Sequence, residues 1–442
     1  MTENINRLDV LTPAEKLLGL SLFWREVSYH FAFFDQVPQL NFDEAYQQFI
    51  PQVLETASTY EYYRTLQRFC ALLQDGHTNV YLPPGLELAY VDSPAIRVIE
   101  LRQEAIITQV DKKLAEMIPL GSRILAVDGI STPAYLKSEV MPIIASSTEH
   151  VRWAEAVAKM LHGGVNTELS LTLQTPSGDQ KQCSVIRNER VGGGEMLSLK
   201  LPSSQNKRIE YKSLESGIGY VALNDFSHQD VVAQFESYLP HLAKAKGLIL
   251  DLRFNGGGDS SIGGAILAYL SNQPLVGSRW KTRQHISAYK AWGTMLSEYQ
   301  EYADDNAWLT GEHGLIEPKA DALTECPIFV LIGRGTASAA EDFLVYAQAL
   351  DTMTTIGEYT YGSTGQPLFR NLPGGGCFRV CTKRDTYADG RDFVGTGIKP
   401  DILVSPTYQH LIDGVDYVLE TAVELMTRNL QNEDSPLNST DC

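Results

Sequence analysis

The sequence lacks the features that mark a metal site, an export signal or a membrane span. Its six cysteines are scattered without a CxxC pair, so we expect free thiols in a reducing compartment and no metal. Even Cys377 and Cys381, four positions apart, have no matching cluster of histidine or cysteine. The N-terminus MTENINRLDV has no basic stretch before an apolar core.

No apolar run reaches the length of about 18 residues that a membrane span needs. We therefore expect no integral membrane segment. The predicted location is cytoplasmic for the chain as given, or periplasmic or exported if a signal peptide has been removed.

A surplus of positive charge is also absent. The 442 residues include 54 Asp and Glu against 36 Lys and Arg, a net charge of −18. Nucleic acid and anionic membranes are therefore unfavourable partners, whereas a peptide or protein substrate is compatible with this charge. No nucleotide-binding pattern is present, so we expect no cofactor. The length and the 43% of hydrophobic residues predict a globular protein of about three domains.

The stretch Cys326–Ala347, CPIFVLIGRGTASAAEDFLVYA, organises the rest of the chain. The apolar run Ile328–Ile332 predicts a buried strand, which Gly333 and Gly335 end. A helical pattern follows the small residues. Ser338 is therefore predicted to lie at a turn from a strand to a helix.

Two interpretations of Ser338 stay open. Its hydroxyl could attack a carbonyl, and the amide of Ala339, at the start of the helix, could stabilise the resulting oxyanion. Ser338 and Glu341 also form the pattern of a capping box, in which the serine caps the helix.

Four regions are predicted along the chain. Residues 1–83 form a helical region, residues 84–190 a small α+β domain, residues 205–428 an α/β domain with parallel strands, and residues 429–442 a polar, disordered tail. Two smaller elements are expected within them, a helix near Leu114–Met117 and a strand at Phe378–Thr382.

A second notable stretch, Gly247–Asp259, runs from an apolar strand into three consecutive glycines. Gly256 and Gly257 could turn an amide toward a substrate oxygen, as a second oxyanion donor. A tight structural turn is the alternative. A phosphate-binding loop is not favoured, because neither GxGxxG nor GxxxxGK[ST] is matched.

His77 differs from the other histidines because it lies at a junction, after Asp75 and Gly76 and before a short strand. A lone histidine is commonly structural or exposed. A serine nucleophile nevertheless needs a base, and imidazole, with an ordinary pKa near ~6.5, is a suitable one.

Five segments together resemble the tail-specific (C-terminal-processing) serine peptidases and the tricorn protease core. They are LLQDGHT, LILDLRFNGGG, GRGTASAAEDF, TIGEYTYGSTGQ and DGRDFVGTGIKPDI. The resemblance covers nearly the whole chain. It implies an α/β catalytic domain of the crotonase-like or ClpP-like type, preceded by a helical region and a PDZ-like α+β domain.

The resemblance also implies roles for individual residues. Ser338 matches the nucleophile, and the amides of Ala339 and of Gly256 or Gly257 match the oxyanion hole. The tail-specific branch uses a lysine in Thr-Phe-Gly-Lys-Gly, where this chain has Thr360–Thr364, TYGST.

The tricorn-like branch uses a histidine, and His77 matches it. Its late carboxylate falls on Val394, so Asp392 is the nearest substitute. If His77 is the base, the ordinary imidazole pKa predicts activity that rises between pH 5 and 8.

The stretch from Pro119 to Gly129 resembles the strand and turn of PDZ domains, which bind peptides at a sheet edge. Gly121 and Ile124 are therefore candidate substrate-binding residues; an ordinary α+β domain is the alternative. Three functions follow: a serine peptidase, a catalytically weak or inactive relative that binds peptides or apolar ligands, and an acyl-CoA enzyme of the crotonase type. Homo-oligomerisation stays open.

Overall fold

The structure, a computed structural model, describes residues 10–204, 206–311, 314–320, 322–323 and 326–433. The chain forms two compact units. The first unit contains the chain up to Leu199, with Thr282–Leu309 and Gly365–Arg384, and the second contains Lys200–Lys281, Thr310–Thr364 and the chain from Asp385 onward. This division differs from the four predicted regions, because two segments of the predicted α/β region fold with the first unit.

The first unit begins with three helices in the predicted helical region, and each has a side-chain cap. Thr12 accepts a hydrogen bond from the amide of Glu15, Asn41 from that of Glu44, and Ser58 from that of Glu61. Such caps satisfy amides that the helix itself leaves unpaired. The helices are Pro13–His30, Phe42–Glu55 and Thr59–Ala71.

A three-stranded antiparallel sheet joins this helical region to a distant part of the chain. Cys377–Cys381 is its central strand, between Asn79–Tyr81 and Pro367–Asn371. The strand predicted at Phe378–Thr382 therefore exists, but its placement in the α/β layer is wrong. Phe378 is fully buried, and its ring centroid lies 5.2 Å from that of Phe23 in the first helix, which holds the strand in the first unit.

A seven-stranded antiparallel sheet forms the α+β part of the first unit. Trp153, Ala156 and Val157 of helix Glu149–Lys159 belong to its core. The helix predicted near Leu114–Met117 is wrong: the segment forms a single turn, closed by the Ile118 amide on the Leu114 carbonyl, and Pro119 then prevents continuation. The strands are Ile96–Leu101, Glu104–Asp111, Arg123–Val127, Ile130–Ser131, Glu168–Gln174, Gln180–Ile186 and Met196–Ser198.

Shorter elements complete the first unit. The strands Val91–Asp92 and Gly163–Gly164 pair with each other. The short helices are Pro84–Tyr90, Thr132–Tyr135, Glu189–Gly192, Ser287–Gly293 and Gln300–Ala303.

The second unit is built on a six-stranded sheet, and its strand directions confirm the predicted α/β layer. All neighbouring strands are parallel except the first pair. Side chains alternate between the faces of a strand, and Phe329 and Leu331 point to the core formed with the C-terminal helix. The strands, in order across the sheet, are Ile209–Ser213, Ile218–Leu223, Gly247–Asp251, Ile328–Ile332, Met353–Gly357 and Ile402–Leu403.

The helices of the second unit are Asp230–Leu242, Ser260–Leu267, Ala339–Ala347, Tyr408–Asp413 and Tyr417–Glu433. The last of these corrects the predicted tail, because residues 429–433 are helical; residues 434–442 lie outside the described part. Leu275–Val276 pairs with Leu315–Ile316. Three further strands lie where the chain passes from one unit to the other along the sequence: Arg279–Arg283, Trp308–Gly311 and Arg384–Thr386.

The five cysteines that lie in the described part of the chain are free thiols, as predicted; Cys442 is outside it. Within the same residues, no helix combines the length and the apolar character that crossing a membrane requires.

Candidate active site

Three loops of the second unit meet at one edge of its sheet. They follow the parallel strands Gly247–Asp251, Ile328–Ile332 and Met353–Gly357, and the carboxyl ends of parallel strands share an edge. The Ala337 amide donates to the Asn255 carbonyl at 3.0 Å, and the Tyr361 amide donates to the Thr336 carbonyl at 2.9 Å. The predicted nucleophile turn, the glycine loop (Gly256–Gly258) and the residue 360–364 loop are therefore adjacent.

Ser338 has a backbone conformation that few residues other than glycine adopt. Its φ is 55° and its ψ is −123°. Such a conformation costs on the order of 1–3 kcal/mol and is concentrated at functional sites. It also fits the sharp turn from strand to helix that exposes a nucleophilic serine in hydrolases. Ser338 is half-buried, so this side chain is not sealed in the core.

The helix Ala339–Ala347 begins directly after this turn. Ala339 is its first residue, so the helix offers its amide no carbonyl one turn back. The Ser338 amide donates to the Glu341 carboxylate at 3.3 Å, which is the carboxylate half of the predicted capping box. Capping and a strained serine thus occur together.

Gly257 is required where it is because it lies against the Ser338 turn. Its φ is +97°, and a Cβ on this residue would lie 2.6 Å from Ser338 Cβ and 2.9 Å from the Ala339 nitrogen. Any side chain would displace the serine. The Gly257 amide donates to Asn255 Oδ1 at 2.9 Å, and Asn255 Nδ2 donates to the Leu223 carbonyl at 2.9 Å. The buried asparagine therefore fixes the shape of the glycine loop.

Glu341 is fully buried and ties the start of the helix to the 360–364 loop. Its carboxylate accepts hydrogen bonds from Thr360 Oγ1 at 2.5 Å, the Gly362 amide at 2.8 Å and the Ser363 amide at 3.0 Å, in addition to the Ser338 amide. Burial raises the pKa of Glu341 to about 8, against the opposing effect of these donors. Glu341 therefore joins the Ser338 turn to the 360–364 loop by hydrogen bonds, and we call it the hub of the site.

The position of the lysine in the tail-specific branch is occupied here by Ser363. This residue is fully buried, and its carbonyl accepts the Ser338 amide at 3.1 Å. The backbone at this position is therefore directly beside Ser338.

The position at which the tricorn-like branch has its late carboxylate holds a buried apolar residue in this chain. Val394 is 1% exposed and Asp392 is exposed. The Gly395 amide donates to the Gly362 carbonyl at 2.9 Å, which holds this segment against the 360–364 loop.

His77 lies in the first unit, in the loop Asp75–Thr78, which we call the histidine loop. The loop is held by buried polar contacts: Thr78 Oγ1 donates to Asp75 Oδ2 at 2.6 Å, and the Gly76 amide donates to Ser147 Oγ at 2.9 Å. His77 is 8% exposed. Burial, and then the charge of Arg379, lower the pKa of His77 to about 3, far below the ordinary value assumed from the sequence.

The two predicted substrate-binding residues of the α+β part, Gly121 and Ile124, contact other residues of the fold. Ile124 is 3% exposed and belongs to the hydrophobic core, on a strand that has partners on both sides. Gly121 has a φ of 80° and donates its amide to the Ile107 carbonyl at 2.8 Å. A strand with two partners cannot accept an added peptide strand. Strand addition at this strand is therefore not supported, and any other role of Gly121 and Ile124 in substrate binding stays a prediction.

Sequence reasoning brought together Ser338, Ala339 and the glycine loop, but it missed the residues that support them. The sequence pattern indicates Glu341 only as part of a helix cap, and it indicates no role for Asn255. The signal for Asn255 was its place between a buried strand and three glycines. No local signal marks Glu341 as the acceptor for a loop some 20 positions later, since that contact depends on the fold.

Comparison with known proteins agrees with this geometry. Residues 217–404 match Peptidase family S41. The chain is 26% identical over 271 residues to a carboxy-terminal-processing protease of Bartonella bacilliformis, a match that spans 59% of this chain and only 55% of that protein. It is 24% identical over 389 residues to a carboxyl-terminal-processing protease of Picosynechococcus, spanning 87% of this chain and 83% of that protein.

Among solved structures, mature CPAF superposes with a TM-score of 0.75 at 15% identity, covering 96% of this chain and 99% of that one. At this identity the likeness concerns the fold. The enzyme class, a serine-type peptidase and hence a hydrolase, is confirmed for the matched region, and that region is similar to the predicted family. The histidine-using branch, the PDZ-like label and the crotonase-like label stay predictions.

Proposed function

We propose that this chain, whose residues 217–404 match Peptidase family S41, is a serine endopeptidase or carboxy-terminal-processing peptidase. Its substrates would be peptides or unfolded protein termini. The observation that carries the proposal is the strained Ser338, packed on Gly257 and followed by the first amide of a helix. A cap alone needs neither a positive φ nor a glycine at that contact.

The proposed reaction is acyl transfer through Ser338. His77 takes the proton of Ser338 Oγ as the oxygen attacks the peptide carbonyl, and it then gives that proton to the leaving amine. Water, deprotonated by His77, hydrolyses the acyl-enzyme and restores the serine. His77 and Ser338 lie in different units.

The oxyanion would be held by two amides. Ala339 supplies one, because its amide lies at the helix start. Since the Gly257 amide already donates to Asn255, we assign the second donor to Gly256, which is exposed and where a Cβ would meet no atom within 4 Å.

Two observations bear on the base. Ser363 fills the position at which the tail-specific branch has its lysine, and its backbone contacts Ser338, so that branch's base is missing from this chain. His77 is the matching residue of the other branch. Its lowered pKa keeps the imidazole deprotonated at neutral pH, so the ring is in the form that can take a proton, although it is a weak base.

A weak or inactive peptide-binding or apolar-ligand-binding protein is the second candidate. It is favoured by the late carboxylate position, where Val394 is buried and Asp392 is exposed. Asp392 would orient His77 or a nearby water in the first candidate and would be dispensable in the second.

Fluorophosphonate labelling of the full chain tests the proposal. We expect the folded protein to label, the Ser338→Ala variant to lose labelling, and the His77→Ala variant to label more slowly. The matched control is Ser261→Ala, an exposed serine near the glycine loop, which should label like the unaltered protein. A folded protein that binds peptides without labelling would support the second candidate.

Cleavage specificity needs a separate experiment. Paired peptides with a free or an amidated C-terminus should be cleaved equally by an endopeptidase, whereas a carboxy-terminal-processing enzyme should prefer the free acid. Mass spectrometry of the products identifies the bond that is cut.

A further inference from the structure

Arg379 contacts the backbone before His77, at Gly76, and a side chain after it, that of Asn79. It lies on the strand Cys377–Cys381 in the same unit. Its Nη2 donates to the Gly76 carbonyl at 2.9 Å, and its Nε donates to Asn79 Oδ1 at 2.7 Å. One guanidinium thus fixes the residue before the histidine and a residue two positions after it.

The strand register makes this contact specific. Asn79 and Arg379 are directly opposite each other in the antiparallel pair. The next contact along the strand is made by the Cys381 amide, which donates to Thr78 Oγ1 at 3.0 Å. A shift of one residue would move Arg379 to the other face of the sheet and remove both of its contacts.

Other titratable groups contact the histidine loop besides Arg379. Asp75 is a buried carboxyl whose oxygens accept from Thr78 Oγ1 and Ser147 Oγ, and burial raises its pKa. Helix Thr59–Ala71 contributes Cys70, whose Sγ donates to the Thr78 carbonyl, and the following strand contributes Tyr81, whose ring centroid lies 5.9 Å from the guanidinium.

We propose that Arg379 is the positioning residue of His77: it holds the histidine loop before and after the histidine and places a permanent positive charge at this loop. The proposal rests on the proposed function in so far as His77 is the base. A like charge nearby disfavours the imidazolium, so the ring stays deprotonated in mildly acidic solution but is also a weaker base toward the serine proton. The gain for catalysis therefore comes from the fixed orientation of the histidine loop.

The test is a proton titration of His77 that does not depend on activity. The full chain carrying Ser338→Ala is labelled with ¹³C at histidine Cε1, and His77 is assigned by the signal lost in His77→Asn. Arg379→Gln and Arg379→Lys are compared with Arg370→Gln, a control on the neighbouring strand whose guanidinium faces Glu26 at 3.7 Å. We expect Arg379→Gln to raise the His77 midpoint by about one pH unit or more, and Arg379→Lys and Arg370→Gln to leave it nearly unchanged.

A second experiment measures the rate of fluorophosphonate labelling in proteins that retain Ser338. Arg379→Lys keeps the charge but cannot make both contacts, so we expect its fluorophosphonate labelling rate to fall about tenfold with the midpoint retained. An unchanged His77 midpoint in folded Arg379→Gln overturns the electrostatic part. An unchanged labelling rate in Arg379→Lys overturns the positioning part, and this variant decides the matter if the glutamine variant does not fold.

The two proposals fail in different ways. If the His77 midpoint moves in Arg379→Gln but the pH dependence of labelling does not follow it, His77 is not the base, and the control of the ring by Arg379 stands. If labelling and midpoint shift together, both proposals are supported.

Discussion

Gly257 lies against Ser338 so closely that a methyl group would not fit: a Cβ on residue 257 would be 2.6 Å from Ser338 Cβ and 2.8 Å from the Ala337 carbonyl oxygen. The contact joins two loops that are about 80 positions apart in sequence. It explains why a glycine occupies this position without any appeal to a phosphate ligand.

The first prediction is that Gly257→Ala abolishes labelling of Ser338 and lowers the free energy of unfolding by more than 2 kcal/mol, roughly the upper cost of a left-handed residue alone. The substitution adds a steric overlap to an unfavourable φ of +97°. Urea denaturation and fluorophosphonate labelling measure the two effects.

Gly390→Ala separates strain from overlap. Gly390 has a φ of +89°, and a Cβ there would meet no atom within 4 Å. This variant should lose only about 1–2 kcal/mol and keep its labelling. Equal behaviour of the two variants would contradict the packing argument.

Local patterns were enough to predict the elements of the site but not their supports. The apolar run Ile328–Ile332 and the small residues after it predicted a strand, a turn and a helix, and the structure has all three. The strained φ of Ser338 could not be predicted, because it depends on Gly257 and the 360–364 loop from other parts of the chain.

Long-range pairing explains the wrong predictions as well. The strand near Phe378 shows the alternation of apolar and polar residues that is common to strands. Nothing in its local sequence indicates that its partner is Asn79–Tyr81, some 300 positions earlier. The pKa of His77 has the same cause: burial and Arg379 are properties of the fold, so the sequence could supply only the ordinary value.

The second prediction concerns Glu341. Glu341→Gln keeps the size of the side chain but replaces an acceptor oxygen by an amide donor, which would face backbone amides of the 360–364 loop. We expect kcat to fall on the order of 10²-fold with a small change in KM, since Glu341 is buried and holds Ser338 rather than substrate.

Glu358→Gln is the matched control for Glu341. Glu358 follows the strand Met353–Gly357 and forms a half-exposed ion pair with Arg334 at 3.6 Å. Its removal should cost less than about 1 kcal/mol and leave kcat nearly unchanged. A Glu341→Gln variant with unaltered kcat would show that the hub is not needed for catalysis.

The third prediction is the pH dependence of activity. With a pKa lowered to about 3, His77 is deprotonated throughout the neutral range, so kcat/KM should be flat from about pH 5 to 8 and fall only as the pH approaches that value. This differs from the rise between pH 5 and 8 that an ordinary imidazole predicts. A sigmoidal rise centred near pH 6.5 would indicate a base other than a buried His77.

The lowered pKa of His77 also makes the free energy of unfolding depend on pH. In the unfolded chain the imidazole binds a proton below about pH 6.5, whereas in the folded protein it does so only near pH 3. The contribution of His77 is therefore complete above the unfolded pKa and is lost as the pH falls toward the folded one. In His77→Asn, the free energy of unfolding should decline less between pH 6.5 and 4 than in the unaltered protein.

The fourth prediction concerns the ion pairs that Arg253 forms with Asp251 and Asp416 in the second unit. Arg253 Nη2 donates to Asp251 Oδ2 at 2.6 Å, and its Nη1 donates to Asp416 Oδ1 at 2.6 Å, directly before the helix Tyr417–Glu433. The side chain of Asp251 is 1% exposed, and that of Arg253 is 11% exposed. Arg253→Met should lower the free energy of unfolding by about 3–5 kcal/mol, because it leaves the Asp251 charge buried without its cation.

A double variant shows whether that loss comes from the stranded charge. Asp251→Asn removes the charge, and Tyr220 Oη can still donate to the remaining oxygen as it does in the native protein, at 2.8 Å. The combined variant Asp251→Asn/Arg253→Met should therefore be more stable than Arg253→Met alone, although two residues in contact have been changed. If the two losses simply add in urea denaturation, Arg253 stabilises the chain by anchoring Asp416 and the C-terminal helix rather than by neutralising Asp251, and Asp416→Asn should then reproduce most of the effect.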